Sequence, residues 1–379
     1  MSSGKNVIGV VGGGQLARML TLAAKPLGFH VIVIDTKPDC PAAQVGAEEI
    51  IAEPGDESAL KRLAERADYL TVEFEELFDI KALETLAQSG KMINPAPATI
   101  QLIKDKFYQK QFLEDNKIPV GPFAEITGLA QAKKLLEQYG GKMMIKTRYG
   151  GYDGRGNAVV ASSMELTKAL EAFSGQALYA EALVNFKKEL AIMITRGLDG
   201  SVTAHPVVET VHVRNICTEV IAPAPVNQKI RAQAEAVALQ VAELLEGAGT
   251  FGIEMFLTKE GKVLVNEIAP RVHNSGHYTI EATRTSQFEQ HVRAVTGLPL
   301  GDPSMVVPAA VMINILGESN SPARLRGLDK VLDIPHTSVH IYGKSPTRID
   351  RKMGHITATG KTIDEAKKRA RSARKILSI

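Results

Sequence analysis

Tryptophan is absent from the 379-residue chain, and aromatic residues together make up only 5% of it. That excludes a broad base-stacking platform for single-stranded nucleic acid. Neither sign of charge dominates: 45 basic residues stand against 42 acidic ones, a formal net charge of +3. Binding of nucleic acid through net charge alone is excluded, while room is left for one local basic site for a small anion. Cysteine is limited to Cys40 and Cys217, with no CxxC pair and no Cys/His cluster. Neither a disulfide framework nor a thiolate zinc site is expected. No apolar run is long enough for a membrane-spanning helix. The apolar stretch 7–11 is too short for a secretory leader and is broken by Gly12, Gly13 and Gly14. What is present, 44% apolar and 23% charged residues, is ordinary for a folded globular protein. At ~100–200 residues per domain the length implies two to four domains. The expectation is a multidomain protein of the reducing cytoplasm.

Residues 6–11, 30–34 and 69–74 read as buried strands, and 15–27 and 60–66 as helices. This alternation predicts an α/β fold with a parallel sheet and helices on both faces. One long helix is expected over 98–116, then a helix over 129–139. Strands at 142–147 and 158–161 flank a glycine-rich stretch, and a helix over 164–173 and a strand over 177–182 follow. Residues 189–214 are strand-rich, with Asp199-Gly200 as a turn. An amphipathic helix covers 226–245 and a hairpin 251–268. Short strands and a basic helix from residue 362, read as a solvated face, close the chain.

Three motifs carry chemistry. Gly12-Gly13-Gly14-Gln15-Leu16-Ala17 fits G-x-G-x-x-[GA] between a strand and a helix, with Asp35 ending the next strand. Small residues at a helix N-terminus suit a dinucleotide, another phosphate or sugar phosphate, or simply a tight turn. Next, Lys146 ends an apolar strand and precedes Gly150-Gly151-Tyr152-Asp153-Gly154-Arg155-Gly156-Asn157. Four glycines in seven residues allow a flap whose N–H groups wrap phosphate oxygens, with the lysine as a point charge. No G-K-[ST] follows, so this is not a Walker A loop. Third, if Glu260-Gly261 form the hairpin turn, the numbers of facing residues add to 521, and Glu254 faces Glu267. Opposed carboxylates repel unless a cation lies between them or one is protonated, and beside a phosphate loop they suggest Mg²⁺. Asn266 offers another oxygen, yet this register puts it on the apolar face with Leu264 and Ile268, a conflict the sequence leaves open.

The order Lys146, glycine flap, Glu181, Glu189, Glu254 and Asn266-Glu267-Ile268-Ala269-Pro270-Arg271 resembles the ATP-grasp superfamily over nearly the whole chain. Five segments narrow the resemblance: Gly14-Gln15-Leu16, Val72-Glu73-Phe74-Glu75, the flap, Pro270-Arg271-Val272-His273-Asn274-Ser275-Gly276-His277, and Tyr342-Gly343-Lys344. Together they are similar to the N5-carboxyaminoimidazole ribonucleotide synthases of purine biosynthesis. Lys106 stands where that family usually has arginine, keeping the charge without the bidentate fork. Asn274-Ser275-Gly276-His277 separates the chain from the sister formate-dependent glycinamide ribonucleotide transformylases, which continue Asp-Thr-Gly.

The resemblance implies three regions: an N-terminal Rossmann-like (pre-ATP-grasp) domain over 1–96, a two-subdomain α+β ATP-grasp core over 97–300 divided at 180/181, and a small β-rich C-terminal domain over 301–379. It implies a ligase that joins 5-aminoimidazole ribonucleotide and bicarbonate through carboxyphosphate, driven by ATP with Mg²⁺, or Mn²⁺ in its place. Lys106 and Lys146 would contact the phosphates, under a flap of Gly151, Tyr152, Asp153, Gly154, Arg155, Gly156 and Asn157. The backbone of Glu181, Ala182, Leu183 and Val184 would meet the adenine, Glu189 the ribose, and His212, Asn266 and Glu267 the nucleotide. Glu254 and Glu267 would hold the metal. Arg271, His273 and Tyr152 would surround the carbonate, Arg271 pairing with the oxyanion and His273 serving as base. Gln15, Leu16, Glu73 and Asn274 would line the ribonucleotide, with its phosphate on Lys344 and Arg351. The N-terminal glycine turn is then read as a sugar-phosphate site. A homodimer is expected from the family; nucleic acid and membrane are not expected partners. The competing readings are a formate-using ligase, a silent nucleotide-binding regulator, and an NAD-dependent oxidoreductase that leaves the flap and paired carboxylates unexplained.

Overall fold

Val31 and Val33 leave their strand on one side and Ile32 and Ile34 on the other, and all four are buried. A strand apolar on both faces needs a layer on each side. In the computed structural model, which describes residues 6–78, 80–151 and 156–379, this strand is part of a five-stranded sheet. Its order is Glu48–Ile51, His30–Asp35, Val7–Val11, Tyr69–Val72 and Met92–Ile93, and every pairing is parallel. The helix Gln15–Ala24 packs on one face and Glu57–Arg66 on the other. Strand order reverses beside Val7–Val11, so the ligand crevice of such a sheet opens where Gly12, Gly13, Gly14 and Glu73 lie.

The single helix expected over 98–116 is two helices, Pro97–Lys104 and Lys106–Asp115. Asp105 divides them. Its carboxylate accepts from the N–H groups of Phe107 and Tyr108 at 3.1 and 3.2 Å, an N-cap that starts the second helix afresh. Arg148 grips the same carboxylate through Nε and Nη2. The break places Lys106 at the start of a helix, where its side chain reaches the cleft.

Two antiparallel sheets form the rest. The smaller has the order Phe123–Ile126, Leu178–Ala182, Met143–Thr147, Asn157–Val160, with helices Leu129–Gln138 and Ser163–Ala172 packed on it. The larger has nine strands. Along its path run Val263–Ala269, Gly249–Thr258, Phe186–Arg196, Val208–Val213, Ile216–Ala222, Ala309–Leu316, Lys352–Gly360 and Thr337–Ile341, with Val202–Ala204 pairing off Phe186–Arg196. Helix Gln228–Leu244 covers its core face. The C-terminal strands continue this sheet, because Ala309–Leu316 pairs with Ile216–Ala222. On the closing helix Ile363–Ile376, Lys367 and Arg371 both pair with the buried Glu219. That face is therefore partly an ion-paired contact and not wholly the solvated one expected.

Candidate active site

The hairpin of Gly249–Thr258 and Val263–Ala269 settles the conflict at Asn266. Its loop is longer than two residues: the Thr258 N–H donates to Lys262 O, and Gly261 turns with φ 82°. Near the loop the facing numbers therefore add to 520, as in Met255 with Val265. A bulge next to Glu254 then inserts one residue, Asn266, and restores 521, so Glu254 does face Glu267. The extra residue flips the alternation. Val263, Val265 and Ile268 all enter the core, while Glu267 turns to the cleft.

Burial and the neighbouring Glu267 push Glu254 above the usual carboxylate range. Burial would raise Glu267 too, but Lys106 and Lys146 outweigh it and hold that carboxyl low. Asn266 Oδ1 is buried and finds no hydrogen-bond partner among the described residues. Two carboxylates and an orphaned amide oxygen form an all-oxygen donor set, which fits Mg²⁺.

Lysines converge on this pair from the smaller sheet and the helix after Asp105. Lys106 Nζ lies 3.2 Å from Glu267 Oε2 and donates to Gly151 O at 2.6 Å. Lys146 Nζ sits 2.9 Å from Glu181 Oε2. Glu181 therefore turns its carboxylate inward to a lysine. Lys110, one helical turn after Lys106, is also buried there: its Nζ is 3.5 Å from Glu181 Oε1 and donates to Val265 O at 3.2 Å. Ala182 closes the strand, Leu183 is exposed at the crossing to the larger sheet, and Val184 O accepts from Phe186 N–H. Gly151, Gly156 and Asn157 edge the flap; Gly156 turns with φ 79°, and Asn157 is the register partner of Lys146. Tyr152, Asp153, Gly154 and Arg155 lie outside the described residues.

Glu189 and His212 come together on adjacent strands, Glu189 Oε2 lying 2.7 Å from His212 Nδ1. Burial disfavours the imidazolium, but the bond to Glu189 and the charge of Glu254 raise His212 above its ordinary value. His273 approaches Glu254 to 3.6 Å through Nε2 and bonds Ser275 Oγ through Nδ1 at 2.9 Å. Burial, reinforced by Arg271, pushes it down to about 3, so it is a neutral imidazole. Gln287 fixes its backbone from both sides.

Arg271 is held by a partner from the N-terminal domain. Its fork is taken by Glu75, with Nε at 2.6 Å and Nη2 at 3.3 Å, and it stacks over Phe74. A protein carboxylate thus holds the guanidinium in a bidentate grip and orients it.

The N-terminal glycine turn also holds a protein carboxylate. Glu73 accepts from the N–H groups of Gly14 and Leu16 at the start of the helix Gln15–Ala24. The anion position at the start of that helix is therefore filled by a carboxylate of the chain itself. Gln15 and Leu16 remain at this crevice, and the Lys344 charge bears on Glu73. Lys344 Nζ donates to Lys352 O, Arg351 to Pro346 O, and Asn274 exchanges amide bonds with Asn314. Lys352, which ends the basic segment 344–352, has its charge felt at Glu254, His212 and His273, linking that segment to the carboxylate pair. Lys110 was missed, although its i+4 spacing from Lys106 was a signal; Glu75 was visible only as part of a motif, without its partner Arg271.

Three family models match in succession: a ribonucleotide synthetase preATP-grasp domain over residues 5–104, an ATP-grasp domain over 111–288, and a phosphoribosylaminoimidazole carboxylase C-terminal domain over 310–369. The N5-carboxyaminoimidazole ribonucleotide synthase of Bacillus subtilis is 37% identical over 360 residues, covering 95% of this chain and 93% of that protein. The chain belongs to the N5-carboxyaminoimidazole ribonucleotide synthase family. A solved family structure, the Aspergillus clavatus synthase in complex with ADP and 5-aminoimidazole ribonucleotide, is 36% identical with a TM-score of 0.91 over 98% of both chains. The phosphoribosylaminoimidazole carboxylase of Ogataea methanolica is 42% identical over 372 residues, 96% of this chain and 68% of that protein. The chain thus spans about two thirds of the length of the longer curated carboxylases it matches.

Proposed function

We propose that this protein carboxylates the exocyclic amine of 5-aminoimidazole ribonucleotide with bicarbonate at the expense of ATP, as a ligase of purine biosynthesis. The observation that carries the reading is the bulged hairpin: Glu254 opposite Glu267, Asn266 Oδ1 orphaned beside them, and Lys106 on Glu267. The similarity to the Bacillus synthase and to the Aspergillus complex supports the substrates.

ATP lies between the two antiparallel sheets, its phosphates toward Lys106 and Lys146 and under the flap. Glu254, Glu267 and Asn266 would hold Mg²⁺, or Mn²⁺, which neutralises phosphate charge when bound. A bicarbonate oxygen attacks the γ-phosphorus, ADP leaves, and carboxyphosphate forms. The lysines balance the developing charge. Carboxyphosphate then splits to CO₂ and phosphate in a site that excludes water. The amine captures CO₂ as a carbamate, and its proton leaves to phosphate. His273, kept neutral, accepts a hydrogen bond there; Arg271, oriented by Glu75, supplies positive charge. Glu73 and Gln15 meet the ribonucleotide, with Lys344 and Arg351 on its phosphate. The division at about residues 96 and 300, the cytoplasmic location and the homodimer rest on the family alone.

Phosphate release from ATP and Mg²⁺ tests the reading, run with bicarbonate, with formate or with neither, each with and without the ribonucleotide. Bicarbonate-dependent release that rises with the ribonucleotide, together with carbamate product, is expected. Release with formate alone, or none, overturns it.

A further inference from the structure

Away from the paired carboxylates, three more ligand-type side chains converge. Glu281 comes from the short helix Thr279–Ala282, His340 from the strand Thr337–Ile341, and His355 from the adjoining strand Lys352–Gly360. His340 and His355 are register partners, so sheet pairing puts both imidazoles on one face. Their rings stack at 4.5 Å. One ligand atom from each of the three residues lies within 4.8 Å of the others.

Two atoms of this cluster have no bond to satisfy them. His355 is fully buried; its Nδ1 meets the Tyr342 hydroxyl at 2.9 Å, while its Nε2 has no partner among the described residues. Glu281 uses Oε1 on His340 Nε2, at 2.5 Å, and its buried Oε2 is orphaned as well. Buried polar atoms are seldom left unpaired. With Nδ1–H donating to Tyr342, the free group on His355 is the Nε2 lone pair. A hydrogen bond on one ring nitrogen that frees the other is how metal-binding histidines are prepared.

We propose that Glu281, His340 and His355 bind a transition-metal dication of the zinc class, independently of the Glu254–Glu267 pair. Two imidazoles and a carboxylate, with water as fourth ligand, form a familiar zinc donor set. Ligands at ~2.0–2.1 Å from zinc sit roughly 3.3 Å apart in a tetrahedron. The cluster therefore closes by modest side-chain rotation, with His340 binding as the neutral imidazole and its one ring proton carried on the nitrogen that does not face the metal. The metal would clasp the C-terminal strand pair to the core beside Tyr342, which precedes Lys344 by two residues.

The test uses full-length, tag-free protein stripped with a chelator. It is titrated with Co²⁺, read by its d–d absorption, and then with Zn²⁺ against a chromophoric chelator. One equivalent per chain with four-coordinate Co²⁺ absorption is expected, with a raised unfolding midpoint. Glu281→Gln and His340→Gln, on side chains only 16% and 27% exposed, are each expected to weaken binding at least tenfold. Glu267→Gln leaves it unchanged. Absence of stoichiometric binding by the wild-type chain overturns the proposal without recourse to any variant. So does binding that survives unaltered in both Glu281→Gln and His340→Gln.

Discussion

Glu75 holds Arg271 across 196 residues of sequence, Nε to Oε2 at 2.6 Å and Nη2 to Oε1 at 3.3 Å. Each side chain is only 13% exposed. The pair ties the segment after Tyr69–Val72 of the parallel sheet to the segment that follows Glu267. Removing one partner leaves a charge buried without compensation, at a cost of about 3–5 kcal/mol. Glu75→Ala and Arg271→Ala are each expected to destabilise the fold by about 3 kcal/mol. In a urea-unfolding double-mutant cycle the double variant should lose clearly less than the sum. Strict additivity would show that the pair is not coupled.

The paired carboxylates make a second prediction. Glu267→Gln keeps the shape and hydrogen-bonding capacity of the hairpin but removes one of the charges that suit a dication. ATP turnover is expected to fall about a thousandfold, an effect of the size seen when charge stabilisation at a phosphoryl site is lost. Urea unfolding should stay cooperative. Glu254→Gln should raise the Mg²⁺ concentration that gives half-maximal turnover. Near-wild-type turnover of Glu267→Gln would refute the metal assignment.

The opposition of Glu254 and Glu267 was legible because strand alternation and a glycine turn carry it, even though the loop was longer than assumed. The bulge was not legible. Its one trace was an asparagine on an apolar face, which only three-dimensional pairing explains. Lys146 was legible as a lysine near the end of an apolar strand. The partnership of Glu75 with Arg271 was not, since it joins residues far apart in the chain. The break at Asp105 was hidden because an N-cap in the middle of an apolar periodicity leaves the period intact. The run of the large sheet into the C-terminal strands was hidden for the same reason as Glu75: Ile216–Ala222 meets Ala309–Leu316 only after a long excursion.

Lys344 sits on a turn docked to the N-terminal domain, where Gln44 Nε2 donates to Gly343 O at 3.1 Å. If its ammonium holds the ribonucleotide phosphate, Lys344→Ala should raise the KM for the ribonucleotide by about 10- to 100-fold, one charge-assisted contact being worth roughly 1.5–3 kcal/mol. The KM for ATP should move little. Equal rises in both constants, measured by coupled ADP release, would refute the phosphate role.

Acid stability follows from two histidines outside the cleft. His205 and His291 are buried, and burial pushes each down to about 4. In the unfolded chain each titrates near 6.5. Between those values the unfolded chain takes up protons that the folded chain refuses, so stability falls as pH falls. The loss reaches about 3 kcal/mol per histidine by pH ~4, and the contribution is complete above pH ~6.5. Urea unfolding should give a level free energy from about pH 8 to 7 and a steep decline below. His205→Gln should reduce that slope by about 1.4 kcal/mol per pH unit. An unchanged slope would contradict the assignment.

Gly252 tests how tightly His273 is placed. A Cβ added there would lie 2.5 Å from the His273 Cβ and 2.9 Å from its Cγ. No rotamer change moves a Cβ, so the backbone of the strand Gly249–Thr258 or of the loop that carries His273 must give way. His273 would then shift relative to Glu254, 3.6 Å from its Nε2. Gly252→Ala should cost about 1–3 kcal/mol of stability, as overpacking does. A displacement near 1 Å at a reacting group lowers turnover by up to about 100-fold. Urea unfolding and bicarbonate-dependent phosphate release on one preparation separate the two effects. Lost stability with full turnover would show that the reaction does not depend on where His273 stands.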